Sequence, residues 1–120
     1  MPSYKILQMK LTDEQVDIVN SRKEGEPMAD FYKIYQDANM FPDKEKIETA
    51  VAADMYDHVA NIEADNLNAV FHIGNQGPWD RVEYLENKFG RNMHSISVGD
   101  IVEGEDGNRY FVDFAGFGEL

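Results

Sequence analysis

The sequence contains no cysteine. This absence excludes disulfides, thiolate zinc ligands and a thiol nucleophile, and it favours an intracellular, cytoplasmic location. Apolar runs are also short, since none reaches the roughly 18 residues that a membrane span requires. Residues 1–5 lack the basic and apolar regions of a signal peptide. We therefore expect no membrane partner.

Positive charge is scarce as well: 11 Lys and Arg stand against 23 Asp and Glu, giving a net charge of −12. Such a charge repels nucleic acid and anionic lipid, so direct nucleic-acid binding is not expected. The charge either serves solubility or forms a surface that imitates nucleic acid and docks on a basic protein. Residues 47–80 contain six acids and no Lys or Arg. This asymmetry favours a negative patch.

A chain of 120 residues predicts one domain, residues 1–120. Thr12 and Gln15 form a capping box at the start of one helix, and Asp43 is the expected N-cap of another. Gly90 would end a further helix. Hydrophobic periodicity then predicts a strand at 4–10, helices at 13–23, 28–39 and 44–63, a strand at 67–73, and a helix at 79–89.

The predicted helix 44–63 depends on one apolar stripe. Its members step by four, four, four and three residues: Ile47, Val51, Met55, Val59 and Ile62. The opposite face of this helix would carry much of the acidic patch.

The chain ends in a predicted β-hairpin. Ile101 and Val102 are β-branched, residues 110–114 alternate between apolar and polar, and Asp106-Gly107 is a hairpin turn signal. Strands are expected at about 100–103 and 109–114, with a bend or bulge at Gly99-Asp100. The sequence predicts an α+β fold, with a small antiparallel or mixed sheet and three to four helices.

Three motifs follow one another in the second half of the chain. Their residues are Leu85, Glu86, Phe89, Ser95, Ser97, Val98, Asp100, Val102, Tyr110, Val112, Asp113, Gly116 and Phe117. Residues 68–120 thereby resemble the YodL-like domain, whose pattern runs Leu-Glu-x-x-Phe, then Gly-x-Ser-Leu-Ser-Val-Ser-Asp-Val-Val, then Tyr-Tyr-Val-Asp and Gly-Phe. Gly99 replaces the usual serine of that pattern. The resemblance implies a small protein of phage or mobile-element type, in a group associated with countering host defences, and it implies no particular reaction.

Polar residues in the turn 94–100 invite an enzymatic interpretation. His94, Ser95 and Asp100 would have to place a base beside a nucleophile and an oxyanion donor. We favour a structural role, in which serines bond to backbone and Asp100 holds a turn. His58, His72 and His94 are too scattered to predict a metal site. No phosphate-binding glycine motif is present, so no cofactor is expected.

Aromatic residues indicate a second kind of surface. Tyr110, Phe111, Phe114 and Phe117 crowd the hairpin, where alternate side chains face opposite sides. One side should be core, and the other, if exposed, would contact a partner or a second copy. Trp79 is favoured as a core anchor over an exposed binding residue.

From these features we predict a non-enzymatic acidic binding protein that inhibits a host nucleic-acid-binding or defence protein. One alternative is a small enzyme or ligand-binding module acting on a nucleotide or peptide at the turn 94–100. Another is a structural or assembly accessory, and a homo-oligomer with a large apolar self-interface would support that alternative. The partner-binding residues predicted on the negatively charged face are Asp54, Asp57, Glu63 and Asp65.

Overall fold

The computed structural model describes residues 1–85 and 93–120. Within them the helices are α1 (Asp13–Asn20), α2 (Asp30–Met40), α3 (Lys44–Ala52) and α4 (Leu67–Gln76), with a short 3₁₀ helix at Trp79–Arg81. The strands are β1 (Ser3–Met9), β2 (Tyr56–Glu63), β3 (Val82–Tyr84), β4 (Ile101–Glu103), β5 (Arg109–Asp113) and β6 (Gly116–Glu119).

The six strands form one antiparallel sheet in the order β3-β2-β1-β4-β5-β6. The first strand is therefore central, and its neighbours come from the middle and the end of the chain. Its pairing with β2 shifts register between Ile6 and Leu7, since Ile6 lies opposite Ala60 and Leu7 opposite His58. The predicted α+β class, with an antiparallel sheet and a C-terminal hairpin, is confirmed.

The sheet has a hydrophobic core on each face. Successive residues of β4, Ile101 and Val102, are both fully buried but belong to different clusters, as alternation along a strand requires. Val70 and Ile73 of α4 pack in the cluster that contains Val102. Residues of α2 and α3 pack with Ile101 in the other cluster. The sheet thus lies between α4 on one side and the α2–α3 pair on the other.

The first half of the chain follows its local signals. The Thr12 hydroxyl accepts from Gln15 N at 3.1 Å, and the Gln15 side chain accepts from Thr12 N at 2.9 Å, which confirms the capping box. Asp43 caps α3 as predicted, accepting from Lys46 N at 2.8 Å. The first predicted strand and the helices predicted at 13–23 and 28–39 are also present, with small shifts at their ends.

The helix predicted over 44–63 is wrong beyond Ala52. The backbone turns at Asp54, whose φ is +57°, and then continues as β2. The stripe from Met55 onward does not have the period of a regular strand, since Val59 to Ile62 is a step of three and Met55 belongs to a different cluster from Val59. The register shift leaves Val59 as an extra residue between His58 and Ala60, so the alternation of β2 is interrupted and resembles a helical stripe. Pairing of β2 with both β1 and β3 decides between helix and strand.

Two further predicted elements are wrong. The strand expected at 67–73 is α4, and Asn66 caps it by accepting from Ala69 N at 2.9 Å. Asn66 is thus an N-cap signal in the sequence, but the apolar run after it favoured a strand. The helix expected at 79–89 is a 3₁₀ turn followed by β3, because Val82 pairs with Ile62 at the sheet edge. Residues 86–89 and Gly90 lie outside the described residues.

The C-terminal hairpin is confirmed. Ile101 lies opposite Phe111 and Glu103 opposite Arg109, while Gly107, with φ of +84°, donates to Gly104 O at 3.0 Å in the turn. The chain also bends as expected just before β4. The sequence did not predict β6, which pairs with β5 and extends the sheet by one strand.

Candidate functional site

A buried glutamine fixes the segment 93–100 to the centre of the sheet. Gln8 of β1 is 0% exposed. Its Oε1 accepts from His94 N at 3.1 Å, and its Nε2 donates to His94 O at 3.0 Å and to Asp100 Oδ2 at 2.9 Å. Both ends of the segment are therefore tied to one side chain, so the loop has a fixed position against the fold.

The imidazole of His94 is exposed and lies beside the Gln8 side chain. Its Nδ1 lies 3.2 Å from Gln8 Nε2 and 2.7 Å from Ser95 O. The two hydrogens of the Gln8 amide already serve His94 O and Asp100, so Nδ1 is best assigned as the donor to Ser95 O. The ring is thus oriented by backbone, and none of the described hydrogen bonds joins it to a serine hydroxyl.

Asp100 is 3% exposed, and burial raises its pKa to about 7. The Ser97 N–H at 2.9 Å, the Gln8 amide and the charge of Lys10 act in the opposite direction, because each favours the carboxylate. Tyr56 donates to Gly99 O, and burial followed by the nearby Asp100 charge raises the pKa of its phenol well above the usual range. The bond from Ser97 confirms that Asp100 holds the turn.

Two glycines allow helices to approach this segment from both sides. Gly99 has φ of +93°, and a Cβ there would lie 2.8 Å from Ala38 O in α2. A Cβ on Gly74 of α4 would overlap the side chain of Ile96. Larger residues at either position would push a helix away from the loop.

An apolar cleft of about 610 Å³ opens between α4, the β5–β6 turn and the segment 93–100 that Gln8 holds, which we call the anchored loop. Phe71 and Phe117 meet edge to face across it, with ring centroids 6.5 Å apart. Phe114 at its rim is 73% exposed. The described lining residues are Asn68, Phe71, Ser97, Val98, Val112, Asp113, Phe114, Gly116 and Phe117.

Asp113 supplies the one titratable side chain in that described lining. Its Oδ1 accepts from Phe114 N at 2.7 Å, which shapes the turn between β5 and β6. The lining contains no Lys or Arg. A cleft of this composition can hold an apolar side chain and place a cation beside the carboxylate.

A smaller cleft of about 300 Å³ lies on the other side of the same loop. Trp79, which is 50% exposed, and Tyr84 contribute to it together with His94. The preferred interpretation of Trp79 as a core anchor is therefore wrong, because the 3₁₀ turn directs the indole outward. Exposed aromatic residues thus flank the anchored loop on both sides.

The four acids predicted to bind a partner do not share a helix face, because the helix ends before them. Asp54 lies in the turn after α3, while Asp57 and Glu63 belong to β2. Asp57 and Glu63 are six positions apart along the strand, a distance of about 20 Å. Asp65 follows β2 near Glu63 in the chain. The predicted array is replaced by two acidic pairs at opposite ends of one strand, and their binding role stays a prediction.

The residues of the YodL-like resemblance converge in part on this region. Glu86 and Phe89 lie outside the described residues, and Leu85 follows β3, donating to Val59 O at 3.0 Å. The remaining matches lie in the anchored loop, the hairpin and β6, and several line the larger cleft: Ser95, Ser97, Val98, Asp100, Val102, Tyr110, Val112, Asp113, Gly116 and Phe117.

Comparison with known proteins gives no match to a protein-family model, a curated protein or a solved structure. The YodL-like resemblance stays a prediction.

In the part of the chain that the structure describes, no group of three or more His, Cys, Asp and Glu is placed to hold a metal ion. His58 instead lies with Nε2 2.7 Å from Asn61 Oδ1. Across residues 1–85 and 93–120, no helix has the length and apolar character to cross a membrane.

Sequence reasoning missed Gln8 and Phe71. Gln8 occupies a core-facing position two residues after Ile6, so a polar residue within an apolar alternation was the available signal. Phe71 was hidden by the assignment of its segment to a strand. No sequence signal indicated that α4 and β6, more than forty residues apart, would form one cleft.

Proposed function

We propose that this protein is a non-enzymatic binding module for a basic protein partner, and that the aromatic cleft between α4 and β6 is its docking surface. The observation that carries the proposal is the cleft itself. Phe71 and Phe114 are large aromatic residues that remain 42% and 73% exposed beside a rigidly anchored loop. Aromatic side chains at a concave, fixed surface are typical of the residues that dominate protein interfaces.

Charge supports a basic partner. The whole chain carries −12, and the described lining of the cleft holds a carboxylate and no cation. A negative protein attracts a basic surface from a distance and so speeds association. Nucleic acid is repelled by the same field, which leaves a protein as the favoured macromolecule.

Inhibition of a host nucleic-acid-binding or defence protein is the biological role that we attach to this binding. The YodL-like resemblance and the excess of acid both support it. A basic groove that normally holds nucleic acid would be the natural target of a negative surface. The acids Asp54, Asp57, Glu63 and Asp65 would then act mainly by steering, since they are divided between two ends of β2.

The enzymatic alternative fits the geometry less well. Asp100 has a pKa near 7 but is buried, and its Oδ2 accepts from Gln8 and Ser97. A general base must reach a substrate proton, which this position hinders. Its hydrogen bonds explain it as the support of the loop.

The experiment uses a photo-crosslinking phenylalanine, benzoylphenylalanine, in place of Phe114. The matched control carries the same residue at Phe41, which is also an exposed phenylalanine and lies at the end of α2. We expect the first variant to form adducts with a basic protein in host lysate, and these should weaken as salt shortens the Debye length from about 10 Å at 0.1 M to about 3 Å at 1 M. Equal adducts from both positions, or adducts with acidic proteins alone, would contradict the proposal.

A further inference from the structure

We infer that the partner contributes an extended basic segment that pairs with the outer edge of β6 and inserts one apolar side chain into the aromatic cleft. This inference rests on the proposed function and specifies how the partner binds. It names the occupant by its chemistry: a short strand with one apolar residue and with Lys or Arg two positions away, on the same face of the strand.

The outer edge of β6 is available for such pairing. The sheet order ends at β6, and among the described residues no strand lies beyond it. Leu120 N donates to Arg109 O at 2.9 Å, and the register then makes Phe111–Gly118 and Asp113–Gly116 the hydrogen-bonded pairs. The alternate residues of β6, Phe117 and Glu119, therefore direct their backbone N–H and C=O groups outward.

Phe117 connects this edge to the cleft. Its side chain lines the cleft and meets the ring of Phe71, while its backbone groups face the open edge. In a paired strand, the residue opposite Phe117 would lie about 5 Å away with its side chain on the same face of the sheet. An apolar residue at that position would contact the exposed aromatic residues of the cleft.

The charges beside the edge select a basic segment. Glu119 lies on β6 itself, and Asp113 precedes the β5–β6 turn and lines the cleft. No Lys or Arg occurs from 110 to 120. Glu119 lies two residues from Phe117 and so shares its face of the sheet, where the partner residue two positions from the apolar anchor would meet its carboxylate. Lys or Arg would be favoured at that position, and Asp or Glu would be repelled.

The sequence of β6 also lacks the usual protection of an edge. Lysine and proline commonly prevent edge-to-edge pairing, and β6 reads Gly-Phe-Gly-Glu with neither. Strand addition to an open edge is an established way of binding extended peptides, in which backbone bonds give affinity and alternate side-chain pockets give specificity. With four residues, β6 limits the partner to a short segment.

Glu119 permits a matched pair of variants. Glu119→Pro removes both the outward N–H and the charge, whereas Glu119→Gln removes only the charge. The inner pairing of β6 loses no donor in either case, because Glu119 lies at a position that makes no ladder bond to β5. Thermal melting of both variants checks that they remain folded.

The probe is a synthetic heptapeptide with one isoleucine at its centre and a lysine two positions away on each side, with fluorescence anisotropy for affinity and amide NMR shifts for location. On wild type we expect binding that shifts the amides of Phe117 and Glu119. Glu119→Gln should weaken it slightly, and Glu119→Pro by about tenfold more through the lost hydrogen bond. Equal affinity of the two variants would overturn strand pairing, as would undetectable peptide binding to wild type at millimolar concentration.

Further experiments distinguish failure of the strand pairing from failure of the docking surface. A peptide N-methylated on the edge-facing amides should lose binding to wild type, a result that does not depend on whether Glu119→Pro folds. If adducts still form from position 114 but Glu119→Pro binds the captured partner as Glu119→Gln does, the docking surface stands and the strand mode fails. A wild-type dimer in sedimentation equilibrium that Glu119→Pro alone dissociates would identify the occupant as a second copy and overturn the basic partner.

Discussion

Stability should fall as pH rises from about 4 to about 7, because Asp100 is protonated more readily in the folded state than in the unfolded state. Burial raises its pKa from 3.8 to about 7. The favourable contribution of the protonated carboxyl is complete below the unfolded pKa and is lost as pH rises through the folded value. Between pH 5.5 and 8.5 this linkage amounts to about 2 kcal/mol of unfolding free energy.

Asp100→Asn tests this linkage directly. The amide oxygen can still accept from Gln8 and from Ser97, so the loop should keep its anchor. Urea unfolding of wild type and variant at pH 5.5, 7 and 8.5 gives the difference in unfolding free energy at each pH. We expect that difference to shift in favour of the variant by about 2 kcal/mol across the range.

Other charges also change with pH, so the difference between the two proteins is the informative quantity. Lys10 and Tyr56 lie near Asp100, His94 contacts the same Gln8 amide as Asp100, and all three are present in both proteins. Glu48→Gln, which removes an exposed carboxylate, is the control and should run parallel to wild type. Parallel curves for Asp100→Asn and wild type would refute the reasoning.

Further predictions concern the packing of the site. Gln8→Leu should lower the free energy of unfolding in urea by about 2–4 kcal/mol. The loss should be larger at pH 8 than at pH 5.5, since the lost hydrogen bond favours the carboxylate of Asp100. A loss under about 0.5 kcal/mol would contradict the claim that Gln8 anchors the loop. Gly118→Ala should cost about 1–3 kcal/mol, because its Cβ would overlap the buried ring of Phe111, and Phe111→Leu in the same chain should recover part of that loss. Val112→Asp should abolish cooperative melting because Val112 is only 3% exposed and packs in the core, and a wild-type melting curve would count against the fold.

Local signals in the sequence predicted the elements whose ends carry caps or turns. The capping box at Thr12, the cap at Asp43 and the turn at Asp106-Gly107 act over three or four residues, so they are readable without the fold. The segment from 53 to 84 was misassigned because its apolar spacing does not identify its strands locally. Pairing of β2 with β1, and of β3 with β2, decides those two elements, and that pairing is not visible in the local sequence.

The candidate site was predictable only in part. Asp100 as a turn residue followed from its position after Gly99, and the aromatic crowding near Phe114 indicated a contact surface. The anchor depends on a bond between residues 8 and 100, which only the sheet topology creates. The predicted acidic array depended on a helix over 44–63, and it is not formed because that helix ends at Ala52.

The most direct test of the central claim is the affinity of the captured basic partner for Phe114→Ser and for the matched control Phe41→Ser. Both side chains are largely exposed, so neither change should unfold the protein. If the aromatic cleft is the docking surface, Phe114→Ser weakens binding by about tenfold or more while Phe41→Ser leaves it unchanged. Equal affinity of the two variants and wild type would contradict the account.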